Sequence, residues 1–301
     1  MTSTAITSPT TSTTSGSPAA GEELAGATHL ILERLEDFQA LWQREHQQWP
    51  QVSQDCIKRL ALAGLCDPLS DEPTPPQQLV VNGANLRETI QAAGLVSRQR
   101  AQMLVLRWLM GRGELPPLSG MRLYVNEAVT GFADYLRQRC PGLRWSEYLP
   151  DPDHPLRGVV PHRDVRNLDL PPASMQCLIC NEVLEHVEEL IPALESMASV
   201  LTLGGYLLAT VPMAYGQHDS IVKALWRGEG QEPELLMEHE WHGDPVAPDR
   251  GSLVYRIPGW ELLDQLRAAG FRSACVHALR SARYGVLGAE IPYVLVVVAK
   301  R

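Results

Sequence analysis

The chain of 301 residues has no apolar run of transmembrane length and no signal-peptide pattern, which points to a soluble, cytoplasmic protein that does not enter a membrane. Positive charge is scarce: 26 Lys and Arg stand against 35 Asp and Glu, a net charge of -9. That balance excludes the broad basic face of a nucleic-acid binder, though not a local basic patch. The six cysteines (Cys56, Cys66, Cys140, Cys177, Cys180 and Cys275) lack the spacing of a disulfide framework. Cys177 and Cys180 form a nominal C-x-x-C. On a strand, residues three apart face opposite ways, so the two cannot hold one metal and read as core packing. Residues 1–27 have little apolar surface and no Arg or Lys. Such a Ser/Thr/Pro-rich stretch cannot offset its ordering entropy, and a disordered tail is expected rather than a targeting peptide.

What is present is organised around residues 164–212. Cys177-Leu178-Ile179-Cys180 is a short apolar run that suits a strand buried on both faces. It ends at Asn181-Glu182, whose polar groups would project from the carboxyl edge of a sheet, the edge where open α/β sheets bind ligands. Ile191, Leu194, Met197, Ala198 and Leu201 have helical spacing, Gly204-Gly205 is expected to stop that helix, and residues 206–212 follow as a strand. Upstream, residues 28–49 read as one amphipathic helix ended by Pro50, residues 54–64 as a short helix, and residues 97–111 as a helix capped by Ser97. Arg98 and Arg100 in its first turn are either anion contacts or solvated charges. Residues 121–127 and 143–147 read as the first two strands, with a third short strand after residues 158–161. A helix over 258–269 and two terminal strands, 272–279 and 291–299, complete the pattern. Residues 213–251 form a long connection containing His239-Glu240-Trp241-His242-Gly243-Asp244-Pro245, expected to lie over a substrate pocket as a lid.

Asp164, Leu168, Pro171, Ser174, the run Asn181-Glu182-Val183-Leu184-Glu185-His186, Leu201, Gly204-Gly205 and Pro212 together resemble the second half of class I S-adenosylmethionine-dependent methyltransferases of the type 11 kind. The resemblance covers roughly residues 120–300 and is densest in the middle third. It implies an α/β fold: a Rossmann-like seven-stranded sheet whose last two strands form an antiparallel hairpin. The domain expectation is a disordered tail over 1–27, a mainly helical extension over 28–118 and a methyltransferase-like domain over 119–301. Residues 79–100, with Asn85-Leu86-Arg87-Glu88 and Ser97-Arg98-Gln99-Arg100, resemble an N-terminal zinc-ribbon module of some bacterial methyltransferases. Gln91-Ala92-Ala93 stands where its cysteines would be, so the four ligands that zinc needs are missing.

The same resemblance implies S-adenosylmethionine as cofactor and names its contacts. Glu127 and Gly131 would lie at the amino-acid end, Glu147 would accept both ribose hydroxyls, Asp164 would meet the adenine amino group and Val165 would flank the ring. Asn181 and Glu182 would line the floor near the sulfonium. Of the family's glycine-rich turn, only Gly131 survives in Ala128-Val129-Thr130-Gly131, and a β-branched Val129 at a close-approach position is costly. His186 is the candidate general base, with Glu185 beside it. Glu182-x-x-Glu185-His186 also resembles the metal-binding E-x-x-E-H of some O-methyltransferases, which needs a further distal histidine. His239 and His242 are available, but the same run occurs in metal-free relatives, and no metal is assigned. The expected activity is methyl transfer to a small-molecule or glycan-type acceptor, on oxygen or nitrogen. A non-catalytic binding or scaffold protein on the same fold is the rival. A nicotinamide-dependent oxidoreductase leaves the 181–212 motifs without a role. The oligomeric state is left open.

Overall fold

The computed structural model describes residue 24, residues 26–228 and residues 230–301. The expected tail falls almost wholly outside these residues. The described chain opens with a strand, β1 (Thr28–Leu32), followed by helices α1 (Leu35–Glu45), α2 (Trp49–Ala63), the one-turn α3 (Leu86–Thr89) and α4 (Ser97–Gly111). It continues through β2 (Leu123–Val125), α5 (Gly131–Arg137), β3 (Leu143–Trp145), β4 (Met175–Asn181), α6 (Leu190–Val200) and β5 (Leu201–Thr210). The last elements are α7 (Glu261–Ala268), β6 (Ser273–Arg280) and β7 (Val294–Lys300).

These strands form one seven-stranded sheet in the order β1-β6-β7-β5-β4-β2-β3. The pairs β2–β3, β2–β4 and β4–β5 are parallel, whereas β7 runs antiparallel to both β5 and β6. The expected terminal hairpin is therefore present, in a Rossmann-like sheet. Helices α1, α6 and α7 pack on one face, against Leu178, Cys180, Leu207 and Val297. Helices α4 and α5 pack on the other, against Cys177, Ile179, Leu208 and Val296. Cys177 and Cys180 thus face opposite layers, both fully buried, and all six cysteines are free thiols. Burial on both faces explains why the core strands read as continuous apolar runs.

Several expectations are corrected. Residues 28–32 are a strand, not the start of a helix: β1 pairs antiparallel with β6 from Thr28↔Arg280 to Leu32↔Val276. A mainly helical stretch thus begins by entering the main sheet. Pro50 does not end a helix but lies in the first turn of α2, where its missing N–H is no loss. Ser97 does not cap α4. Its hydroxyl donates to Leu287 O (2.7 Å) and accepts from Leu287 N (2.8 Å), tying α4 to the segment before β7. The third strand is reduced to one isolated parallel bridge, Glu147↔His162. A cavity of about 240 Å³ lined by Tyr124, Trp145, Arg163 and Leu170 lies beside β3. The Gly204-Gly205 pair sits inside β5 rather than at a helix end, and Gly204 takes φ +79. The connection after β5 is not irregular. Trp241–His242 pairs with Ser252–Leu253, and Ile221–Val222 with Arg256–Ile257.

Candidate active site

In a doubly wound sheet the chain leaves neighbouring strands in opposite directions at one point, and a crevice opens there. That point lies between β2 and β4. Glu127 follows β2, Asn181 ends β4, and Asn181 Nδ2 donates to Glu127 Oε1 at 2.6 Å. Thr210 at the end of β5 donates to Asn181 Oδ1 at 3.1 Å, so the amide orientation is set from both sides. Thr130 donates its hydroxyl to the other Glu127 oxygen, and it caps α5 by accepting from Ala133 N.

The degenerate turn 128–130 closes without glycine. None of its three residues has a positive φ, and Val129 points outward, 41% exposed. The turn therefore needs no glycine for its backbone conformation. Gly131 has a different constraint: a Cβ on it would lie 2.9 Å from Gly94 O. The N-terminal segment thus lies directly on the turn. Glu147, after β3, accepts from Ala128 N at 2.9 Å and reaches the same crevice. Burial raises its carboxyl to about 7, and the Glu127 charge adds to the shift against the opposing Ala128 hydrogen bond.

Asp164 is more committed. Both its oxygens are held by Arg166, at 2.6 to 3.1 Å. Burial would raise its carboxyl, but the Arg166 hydrogen bonds outweigh burial and leave it below the usual range. Val165 packs against the core next to it. Glu182 is also engaged. Arg87 of α3 donates to both its oxygens, at 2.8 and 2.6 Å. Burial pushes the Glu182 carboxyl up, but Arg87 and then Arg98 hold it low. Glu182 itself takes φ 48, a left-handed conformation uncommon outside glycine and concentrated at functional positions. Arg98 binds Glu88 at 2.8 Å and lies 3.9 Å from Glu182, while its Nη1 is buried with no hydrogen-bond partner among the described residues. Arg98 is thus not a solvated first-turn charge. Arg100, by contrast, is spent on the carbonyls of Leu95, Ile90 and Gly285. The sequence reading did not assign Arg87 a role. The signal available was its place in the Asn85-Leu86-Arg87-Glu88 motif.

A second group lies one turn beyond β4. Glu185 is fully buried, and neither carboxylate oxygen has a hydrogen-bond partner among the described residues. His186 Nε2 is 3.6 Å and His242 Nδ1 3.7 Å from Glu185 Oε1. The two rings meet edge-on with centroids 5.0 Å apart. Burial raises the Glu185 carboxyl, and the nearby carboxylate in turn raises His242. The long connection delivers His242: Tyr255 N donates to Glu185 O and Val254 N to Glu240 O. His239, the other distal candidate, is exposed and outside this group.

The sequence model of a family described as "Methyltransferase domain" matches residues 143–209, from β3 to the end of β5. The resemblance read from the sequence holds over that segment, which lies within the Rossmann-like sheet. No curated protein matches the chain. Among solved structures, similar chains include an S-adenosylmethionine dependent methyltransferase from Mesorhizobium loti, at 14% identity, 65% of this chain, 97% of that one and a TM-score of 0.40. Another is the 1,6-didemethyltoxoflavin-N1-methyltransferase of Burkholderia thailandensis, solved with 1,6-didemethyltoxoflavin and S-adenosylhomocysteine, at 19% identity, 68% and 78% coverage and a TM-score of 0.38. A third, a SAM dependent methyltransferase from Aquifex aeolicus, has 15% identity, 64% and 87% coverage and a TM-score of 0.34.

Proposed function

We propose that this chain transfers the methyl group of S-adenosylmethionine to a small-molecule or glycan-type acceptor, on oxygen or nitrogen. One observation carries the reading: Glu127, Glu147 and Asn181 converge at the β2/β4 switch point, joined through the Ala128 amide. Two orphaned groups fit a cofactor with a charged amino-acid end. Arg98 Nη1 and Asn126 Oδ1 are buried without hydrogen-bond partners among the described residues. A guanidinium N–H suits a carboxylate and an amide oxygen suits an ammonium or hydroxyl. When bound, the cofactor supplies an electrophilic methyl carbon on a sulfonium. The chain's own task is then to orient: Glu147 accepts hydrogen bonds from adjacent hydroxyls, Glu127 and Asn181 hold the floor, and Asp164 and Val165 bound the far end. His186 donates Nδ1–H to Leu253 O at 2.8 Å, because a carbonyl only accepts. Its Nε2 lone pair is therefore free, beside Glu185, to take the proton that the acceptor loses.

Charge and exposed apolar surface support that acceptor class. A net charge of -9 disfavours nucleic acid, and the connection over the edge exposes Leu235, Leu236, Met237 and Trp241. Among the described residues no helix is long and apolar enough to cross a membrane. Free thiols throughout suit a reducing, cytoplasmic setting. Calorimetric titration with S-adenosylhomocysteine tests the reading. Saturable one-to-one binding is expected, and no heat at high micromolar ligand would leave the non-catalytic scaffold as the surviving account.

A further inference from the structure

We propose that Glu185, His186 and His242 bind a divalent transition-metal ion, with zinc as the natural probe. The partners of the two rings fix where their protons lie. His186 spends its N–H on the Leu253 carbonyl, so its Nε2, the atom facing Glu185, carries a bare lone pair. His242 directs Nε2 at the Glu240 carboxylate, 3.1 Å away, which also only accepts when ionised. In the neutral ring its N–H is therefore on Nε2, and Nδ1, again the atom facing Glu185, carries a lone pair. Two lone pairs and a fully buried carboxylate with no hydrogen-bond partner among the described residues thus converge, their atoms all within 4.8 Å of one another. With Glu185 ionised and both rings neutral, these are three acceptors with no donor between them, an arrangement that a cation satisfies.

A proton is a poor fit. At 3.6 and 3.7 Å the carboxylate is beyond hydrogen-bond reach of either nitrogen. A metal fits better, because ligand bonds of about 2.0–2.2 Å place neighbouring tetrahedral ligand atoms roughly 3.4 Å apart. Each histidine also has the outer hydrogen bond typical of a metal ligand, one to a backbone carbonyl and one to a carboxylate. Two imidazoles and one carboxylate favour zinc and its first-row neighbours over magnesium or calcium, which prefer all-oxygen shells. Three protein ligands leave a position open, the pattern of a catalytic rather than a structural site. The set is narrower than the E-x-x-E-H pattern suggests, since both oxygens of Glu182 are taken by Arg87.

The role of the ion rests on the methyl-transfer reading; its presence does not. A hydroxyl of the acceptor on the open position would release its proton to water more readily. Its oxygen would then bond to the methyl carbon as the carbon–sulfur bond breaks and leaves its electron pair on sulfur. In that arrangement the His186 lone pair holds the ion, and the ion replaces His186 as the group that activates the acceptor.

The test uses the full chain, free of any affinity tag and stripped with chelator, titrated with zinc by calorimetry and with cobalt(II) by visible absorption. One equivalent is expected to bind, with cobalt bands of a four- or five-coordinate site. His242→Ala and Glu185→Gln are expected to weaken binding at least 100-fold with the circular dichroism spectrum unchanged, and His239→Ala to leave it as in the parent. Absence of stoichiometric uptake by the parent chain overturns the proposal. So does equal loss in His239→Ala and His242→Ala, or full retention in both His242→Ala and Glu185→Gln. If Glu185→Gln fails to fold, His242→Ala alone decides, because His242 lies on a peripheral two-residue ladder. S-adenosylhomocysteine titration of the same samples separates the two readings: zinc binding without nucleoside binding keeps the metal site and discards methyl transfer.

Discussion

Glu147 shows how one side chain ties the local environment to a measurable property. Burial holds its carboxyl at about 7, with Glu127 as a second contributor. An acid with a raised value is neutral below it and ionised above it. The ionised form accepts on both oxygens, whereas protonation turns one of them into a donor and weakens the pairing with two hydroxyls. Affinity for S-adenosylhomocysteine is therefore expected to rise as pH increases through about 7, and to fall by about tenfold per pH unit below that point, the equivalent of one pKa unit. Titrations between pH 5.5 and 8.5 check this, with Glu147→Gln expected to remove the slope. An affinity flat across the range would take Glu147 out of the site. Glu127, Glu147 and Asn181 were legible in the sequence because each stands at a strand end, where position alone predicts the edge. Arg87 was not, and His242 could not be chosen over His239, because their partners are supplied by the tertiary fold. Arg87 meets Glu182 from 95 positions away.

At the scale of elements, the start of α5 and the turn before α4 lie backbone to backbone. A Cβ at Gly131 would sit 2.9 Å from Gly94 O and 3.2 Å from Gly94 Cα, both immovable main-chain atoms. Gly131→Ala must therefore push the N-terminal segment off the turn that carries Glu127 and Thr130. The expected cost is about 1–3 kcal/mol, the usual range for overpacking. A lower melting temperature and faster amide exchange across residues 90–96 would follow, and an unchanged exchange pattern would refute the contact. The sequence presented Gly131 as the remnant of a cofactor turn, and the structure adds this second reason for glycine. Helices α4, α6 and α7 and strands β4 to β7 were readable because apolar period and burial agree along them. β1 was not. Leu32, Leu35, Phe38 and Leu41 share a helical period, yet the chain changes period at residue 33, and only the open edge of β6 decides for a strand.

At the scale of the whole molecule, β1 covers that open edge, and a histidine pair rivets it. His29 Nε2 lies 2.9 Å from His277 Nδ1, both rings buried against the edge of Trp108. One nitrogen donates and the other accepts, so the accepting ring must stay neutral, and burial disfavours a charge on either ring. Burial accordingly lowers His29 to about 4 and His277 further, where the His29 charge adds to the effect of burial. For a base with a depressed folded value, stability is complete above the unfolded value of about 6.5 and drains away as pH falls toward the folded one. Between pH 6.5 and about 4 the loss should approach about 1.4 kcal/mol per pH unit for each histidine that titrates. The strand most directly released is β1, and its departure would bare β6 as an unpaired edge prone to pairing between chains. Acid unfolding of the parent is therefore expected to be steeper over this window than that of a variant with His29→Leu and His277→Leu together, which removes both titrating groups without leaving a polar orphan. Melting temperatures from pH 7 to 4.5, read alongside light scattering, make the comparison. Parallel slopes would show that the pair does not govern the acid limit, whereas a flatter slope and delayed scattering in the double variant would place that limit at the β1–β6 edge.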